Sequence, residues 1–132
     1  MHAFFTHLGN SVCNSSIGKL KLFIHVPEYI QKASWLQFTK RRIFSREKIW
    51  GIHAVLESKG LVTSLANYKK SANHLSFIPD WANISEDPTE IETYETDLFC
   101  DGKLKWCIFT IINDDKIYIE VYSKPPEEVY LI

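Results

Sequence analysis

The chain has 132 residues, of which 45% are hydrophobic and 14% aromatic, so we expect a single domain over residues 1–132 with a core of its own. Charged residues make up 23% of the chain and the formal net charge is −1, which argues against a disordered protein. The amino-terminal segment MHAFFTHLGNSV lacks the early cations and the long apolar run of a signal peptide, so a soluble, cytoplasmic protein is expected.

The first predicted elements are a strand and a helix. The run KLKLFIHV, residues 19–26, is rich in β-prone residues and stops before Pro27. Proline suits the first position of a helix because its missing N–H has no partner there in any case. In PEYIQKASWLQFTK the apolar residues recur at helical spacing, which predicts a first helix over 27–40.

A second helix is predicted over about 46–59. Ser45 can cap its amino end, and Lys59 followed by Gly60 suits its carboxyl end. Helical spacing would place four residues on one buried face: Ile49, Ile52, His53 and Leu56.

From Glu92 onward the pattern predicts an antiparallel meander of three strands, separated by Asp101-Gly102 and by Asn113-Asp114-Asp115. The run WCIFTII is apolar on both faces and is expected to be the central strand, whereas KIYIEVYS alternates and is expected to have one wetter face. The predicted fold class is therefore α+β, with two N-terminal helices packed on one face of a mainly antiparallel sheet that ends in this meander.

The three cysteines predict neither a disulfide framework nor a metal site. Cys13, Cys100 and Cys107 are an odd number, and their spacing matches no Cys or Cys/His zinc pattern. With a turn at Asp101-Gly102, Cys107 would lie opposite Thr96, three rungs from Cys100, which is too far for a disulfide. Reduced thiols and the absence of a resident metal or cofactor are expected.

Charge is divided unevenly along the chain. Residues 1–79 contain eleven Lys and Arg and three acids, a balance of +8, whereas residues 80–132 contain four and thirteen, a balance of −9. Between Ser71 and Gly102 there is no Lys or Arg, although eight acids lie there. Such a segment can be a solvated loop, a divalent-cation site or a surface for a basic macromolecule, and no D-x-D-x-D-G loop supports the cation site.

The leading hypothesis is a small protein-binding inhibitor rather than an enzyme, for example an immunity protein that neutralises a basic toxin such as a nuclease. Acids would steer the partner and interleaved aromatic residues would anchor it, unless those aromatic residues pack on the protein's own core. The candidate partner-binding residues are Asp80, Trp81, Glu86, Asp87, Glu90, Glu92, Tyr94, Glu95 and Asp97.

The alternative is a nucleic-acid-binding protein or small nuclease that uses the basic segment QFTKRRIFSREKIW. Its cations could neutralise phosphates while the aromatic residues among them stack on bases, or they could simply occupy the ends of two helices. These cations are Lys40, Arg41, Arg42, Arg46 and Lys48. A homodimer that joins the basic part of one chain to the acidic part of another is a third possibility.

Two catalytic interpretations rest on less specific residue patterns. The five histidines, at positions 2, 7, 25, 53 and 74, could supply an acid and a base for a metal-independent ribonuclease. Pro79-Asp80 followed by Asp101-Gly102-Lys103 is similar to the PD-(D/E)xK arrangement of metal-dependent nucleases, which implies two metal-binding acids and a lysine that assists the attacking water. In that family the second acid and the lysine lie within a strand, whereas Asp-Gly here predicts a turn.

Overall fold

The computed structural model describes residues 4–7, 13–41, 48–65, 68–76 and 78–124. Within these ranges the chain forms seven strands, two short helices and one 3₁₀ turn. In chain order they are β1 (Phe4–His7), α1 (Ile17–Leu20), β2 (Lys32–Arg41), β3 (Lys48–Glu57), α2 (Leu61–Ser64), β4 (Lys69–Lys70), the 3₁₀ turn (Asp80–Ala82), β5 (Tyr94–Thr96), β6 (Trp106–Asn113) and β7 (Lys116–Tyr122).

The strands form one antiparallel sheet in the order β1-β2-β3-β7-β6-β5-β4. The edge strands β1 and β4 are short, which limits pairing of the sheet edge with another chain. The protein is therefore β-rich, and the predicted α+β fold with two N-terminal helices packed on the sheet is wrong.

The predicted helices 27–40 and 46–59 are replaced by the hairpin of β2 and β3, which pairs from Lys32 with Glu57 to Arg41 with Lys48. This hairpin is buried on both faces, so it lacks the alternation of polar and apolar residues that usually identifies a strand. The predicted helix face is split accordingly. Ile52 and Leu56 belong to the core on the first face of the sheet, while Ile49 packs in the core on the second face.

The first face is covered by the segment 14–30, which contains α1, and by α2. Leu20, Ile24 and Phe99 are buried there against the sheet. The predicted strand at residues 19–26 is wrong because this segment instead begins with α1, which Ser16 caps by accepting a hydrogen bond from the Lys19 N–H at 3.2 Å. The Trp35 Nε1–H donates to the Ser16 carbonyl at 2.9 Å and fixes this cover to β2.

The second face is covered by a long irregular segment that we call the strap, residues 71–76 and 78–92. The ends of the strap are tied together, because the Ser71 N–H donates to the Thr93 carbonyl at 2.8 Å. Its apolar side chains pack on the second face, and each contributes on the order of 2 kcal/mol of hydrophobic stabilisation when fully buried. They are Leu75, Ile78, Trp81, Ala82, Ile84 and Ile91.

The three C-terminal strands pair in chain order as a meander, but β7 and not β6 lies in the middle of the sheet. β7 takes this place because β3 pairs with its outer side, from Gly51 with Tyr122 to Glu57 with Lys116. The β5–β6 connection turns at Gly102, whose φ of 57° favours glycine, between the bridged residues Asp101 and Leu104.

The three cysteines are free thiols. Cys107 lies opposite Thr96, as predicted, and is buried, although the turn residues are Gly102 and Lys103 rather than Asp101 and Gly102. Burial raises the pKa of the Cys100 thiol to about 11, with a smaller contribution from the charge of Asp97. In the part of the chain that the structure describes, no helix is long and apolar enough to cross a membrane.

Candidate functional site

A buried polar network lies between the strap and the second face of the sheet. Glu120 on β7 is fully buried, and the hydroxyl groups of Tyr118 and Tyr122 both donate to its carboxylate, Tyr118 at 3.3 Å. His53 on β3 places Nδ1 2.5 Å from the Tyr118 hydroxyl and 3.6 Å from Glu120 Oε2. Because a phenol has one proton, Tyr118 can donate to Glu120 only while it accepts from the His53 Nδ1–H.

The network holds the strap in place through Ser76. The Ser76 N–H lies 3.0 Å from each oxygen of the Glu120 carboxylate, and the Ser76 hydroxyl donates to Oε1 at 3.1 Å. A carboxylate removed from water costs several kcal/mol unless such donors replace its hydration. Glu120 therefore ties the amino-terminal part of the strap to the central strand.

This network is closed to solvent, and its hydrogen bonds hold the strap in position. His53, Tyr118, Glu120 and Tyr122 each have 0% exposed surface. The ring of Phe38 covers His53, with ring centroids 4.2 Å apart. No substrate can reach these groups beneath the strap. The surface that solvent meets above the network is the outer surface of the strap.

The outer surface of the strap is acidic. Asp80, Glu86, Asp87 and Glu90 are exposed there, while the apolar side chains between them point to the sheet. The predicted anchor Trp81 is among the latter, half-buried in the second core with its indole nitrogen out of contact with solvent. Trp81 therefore fastens the strap to the sheet, which is the alternative raised for it from the sequence.

The other predicted anchor, Tyr94, packs on the opposite face of the sheet. Its ring lies 5.0 Å from that of Tyr68 and 5.5 Å from that of Phe109, measured between centroids. Aromatic pairs at these distances stabilise the fold by about 1 kcal/mol each beyond area burial. Trp81 and Tyr94 therefore do not form one shared aromatic patch.

Some of the predicted acids already have partners. The Lys70 ammonium on β4 is 2.6 Å from Glu92 Oε1, and Lys69 is 3.7 Å from Glu95. The hydrogen bond from Lys70, and then its charge, lowers the pKa of Glu92, and the Tyr94 hydroxyl acts in the same direction.

Asp87 has local partners. Its carboxylate accepts hydrogen bonds from the Thr89 N–H at 2.9 Å and from the Thr89 hydroxyl at 2.7 Å, and these bonds lower the pKa of Asp87. The side chain therefore stabilises a turn of the strap. Asp97, by contrast, is exposed beyond the end of β5, away from the strap.

Three of the acids line one open groove at the edge of the strap. The groove has a volume of about 300 Å³ and lies where β6 continues past the end of β5. Among the described residues neither Glu86 nor Glu90 forms a salt bridge, so their charges are uncompensated at close range. We call this feature the acidic groove; its lining residues are Glu86, Glu90, Ile91, Glu92, Tyr94, Thr110 and Ile111.

Comparison with protein-family models, with curated proteins and with solved structures found no match.

The basic segment lies at the end of the β2–β3 hairpin where Arg41 pairs with Lys48, opposite the end where Lys32 pairs with Glu57. Lys40, Arg41 and Lys48 occupy the last rungs of the hairpin, while Arg42 and Arg46 lie outside the described residues. At about 3.3 Å per residue, the ten-residue strands separate these rungs from the opposite end of the hairpin by about 30 Å. The predicted positions at two helix ends are wrong, since no helix forms at Lys40, Arg41 or Lys48.

The structure does not gather the other catalytic candidates. His25 and His74 are exposed, His53 is sealed under the strap, and residues 2 and 7 have no described side chains. Asp101 and Lys103 flank the glycine of a turn, which departs from the PD-(D/E)xK pattern as expected from the sequence. No group of three His, Cys, Asp or Glu side chains in the described ranges could hold a metal ion.

Replacing Lys70 should raise the pKa of Glu92. The depressed pKa means that the ion pair stabilises the fold above the ordinary Glu pKa of 4.5 and that this contribution is lost as pH falls through the folded-state value. In Lys70→Met we expect the Glu92 carboxyl ¹³C resonance to titrate closer to 4.5 than in the unmodified protein. Lys69→Met is the control, because Lys69 contacts Glu95; an unshifted titration in Lys70→Met would contradict the pairing.

Proposed function

We propose that the chain is a binding protein that docks a basic partner on the acidic outer surface of the strap. The observation that carries the proposal is that Glu86 and Glu90 are exposed, line one groove and lack a cationic partner among the described residues. Uncompensated carboxylates on a concave surface raise the local concentration of a cationic macromolecule and speed its encounter.

The support beneath the strap favours binding. An interface made of a mobile loop loses affinity because its residues must be ordered when the partner binds. Here Ser76 is tied to Glu120, the two ends are joined between Ser71 and Thr93, and the Thr110 hydroxyl donates to the Glu92 carbonyl at 2.9 Å. The acids are therefore held in position before a partner arrives.

The class of partner follows from the charge. Proteins that act on nucleic acids carry basic surfaces for the phosphate backbone, and an acidic protein that covers such a surface inhibits them. An immunity protein for a basic toxin, such as a nuclease, is the function in this class that we favour. The buried network is sealed and the three histidine side chains that the structure describes are dispersed, which supports our proposal of an inhibitor rather than an enzyme.

Charge reversal on the strap tests the proposal. The partner is first isolated with the tagged protein from lysates of the source cells, with and without nuclease treatment, and identified by mass spectrometry and nucleic-acid staining. At low ionic strength, Glu86→Lys/Glu90→Lys should slow association with that partner by about tenfold or more, and the dependence of the rate on salt should become flatter. Glu28→Lys is the control, because Glu28 is exposed in the cover of the first face.

Three outcomes would overturn the proposal. An association rate that is equal in the double variant and in Glu28→Lys would show that the strap acids do not steer the partner. Capture of nucleic acid alone, with affinity that falls steeply with salt, would instead favour the cations Lys40, Arg41 and Lys48 at the end of the hairpin. A monomer fraction that increases with salt would identify a second copy of the chain as the partner.

A further inference from the structure

We infer that the acidic groove receives an arginine side chain of the basic partner; this inference rests on the proposed function. The lining of the groove is both acidic and apolar. Glu86, Glu90 and Glu92 supply carboxylates, while Ile91 and Ile111 supply apolar surface. A volume of about 300 Å³ is at the lower limit of small-molecule sites and suits one long side chain.

The lining matches the two parts of an arginine. The three methylene groups of arginine pack on apolar surface, and its guanidinium offers five N–H donors in a planar fork to the surrounding acceptors. Tyr94 also lines the groove, but its ring packs on Tyr68 and Phe109, so the cation is held by the carboxylates. A lysine would satisfy the charge, but its ammonium is a compact point charge with three donors, whereas the arginine fork can pair with a carboxylate through two parallel hydrogen bonds.

A cation already binds at the wall of the groove. The ammonium of Lys70, from β4, lies 2.6 Å from Glu92 Oε1, and the Tyr94 hydroxyl donates to Oε2 at 3.2 Å. These contacts orient the Glu92 carboxylate, and each of its oxygens retains a second lone pair for another donor. Lys70 is itself 71% exposed, so an incoming guanidinium can share Glu92 or displace Lys70 without opening the core.

The edge of the sheet beside the groove leaves room for the backbone that carries the arginine. β5 pairs with β6 only from Cys107 to Phe109, so Thr110 and Ile111 lie beyond the last paired rung. The Thr110 hydroxyl donates its proton to the Glu92 carbonyl, so towards a ligand it can only accept, as the carboxylates do. The site therefore selects a guanidinium with an aliphatic stem.

The test uses the full chain and a short arginine probe. Acetyl-Gly-Arg-Gly-amide is titrated into ¹⁵N-labelled protein, and the same peptide with citrulline, which has the shape of arginine without its charge, is the reference. We expect saturable shifts of the Ile91 and Ile111 amide signals with arginine alone. Affinity should fall about tenfold in Glu90→Gln, since a hydrogen bond to a charged group contributes about 1.5 kcal/mol.

A second variant separates this inference from a simple effect of negative charge. Lys70→Met removes the competing ammonium and should tighten binding of the arginine peptide by up to about fivefold, the range of an exposed ion pair. Glu28→Gln removes a carboxylate that does not line the groove and should change nothing. Equal shifts with citrulline, shifts confined to other residues, or no shifts at all would overturn the inference.

The two proposals fail in different ways. If a basic partner binds and is steered by the strap while the arginine peptide leaves the groove signals unchanged, the docking function stands and the arginine site is wrong. If the peptide occupies the groove while no basic partner is captured, the site stands and the docking function is wrong.

Discussion

Replacing Glu120 by glutamine should destabilise the fold by about 3 kcal/mol, because hydrogen bonds to a buried carboxylate are lost and a buried donor is left unsatisfied. The amide keeps the shape of the carboxylate but brings two N–H donors into a site where Ser76, Tyr118 and Tyr122 already donate. At least one buried donor is then left without an acceptor. The measurement is the free energy of unfolding from urea titration. In a separate hydrogen-exchange experiment the strap amides should exchange faster with solvent.

The matched control is Glu57→Gln. Glu57 is partly exposed and pairs with Lys116 at 3.6 Å and with Lys32 at 4.0 Å, so its neutralisation should cost less than about 1 kcal/mol. Ser76→Ala removes the hydroxyl donor and keeps the N–H donor, so an intermediate loss of about 1 kcal/mol is expected, and this variant remains informative if Glu120→Gln does not fold. Equal losses in the two glutamine variants would contradict the role of the network.

Glu120 also shows where sequence patterns stop being informative. The alternation of KIYIEVYS predicted one wetter face, and a glutamate between two tyrosines is typical of that face. In the structure all three side chains are fully buried, because the strap, some thirty to fifty residues earlier in the chain, covers them. Alternation reports the polarity of a face and does not report which distant segment covers it.

The same limit explains the predicted helices. Long strands with apolar residues on both faces, such as β2 and β3, can show helical spacing of those residues by chance. Only the pairing between the strands, for example of Trp35 with Ala54, distinguishes a hairpin from two helices. The C-terminal meander was predictable because its turns at Gly102 and at Asp114-Asp115 carry local signals.

The acidic surface was predictable in part. The exposure of Glu86 and Glu90 follows from local composition, since acids are rarely buried without a partner. The pairing of Glu92 with Lys70 was not predictable, because it arises when β4 adds to the edge of β5, across a separation of 22 positions. Spacing along the chain contains no signal for such a tertiary contact.

Replacing Gly51 by alanine should destabilise the fold by about 3 kcal/mol, as overpacking of a tight core does. A Cβ at this position would overlap the backbone carbonyl oxygen of Val121 on β7 and lie 2.9 Å from two ring carbons of Phe38 on β2. A flexible side chain could move away, but the carbonyl belongs to the β3–β7 pairing and cannot. The measurement is again the free energy of unfolding.

The chain offers its own control for this substitution. Gly18 lies exposed in α1, where a Cβ would meet no atom nearer than 3.9 Å, so Gly18→Ala should be neutral or stabilising by up to about 1 kcal/mol. Gly51→Ala acts where Phe38 stacks on His53, so the displaced ring should also disturb the network that holds the strap. A loss in Gly51→Ala no larger than that in Gly18→Ala would mean that β3 and β7 are not packed as closely as the structure places them.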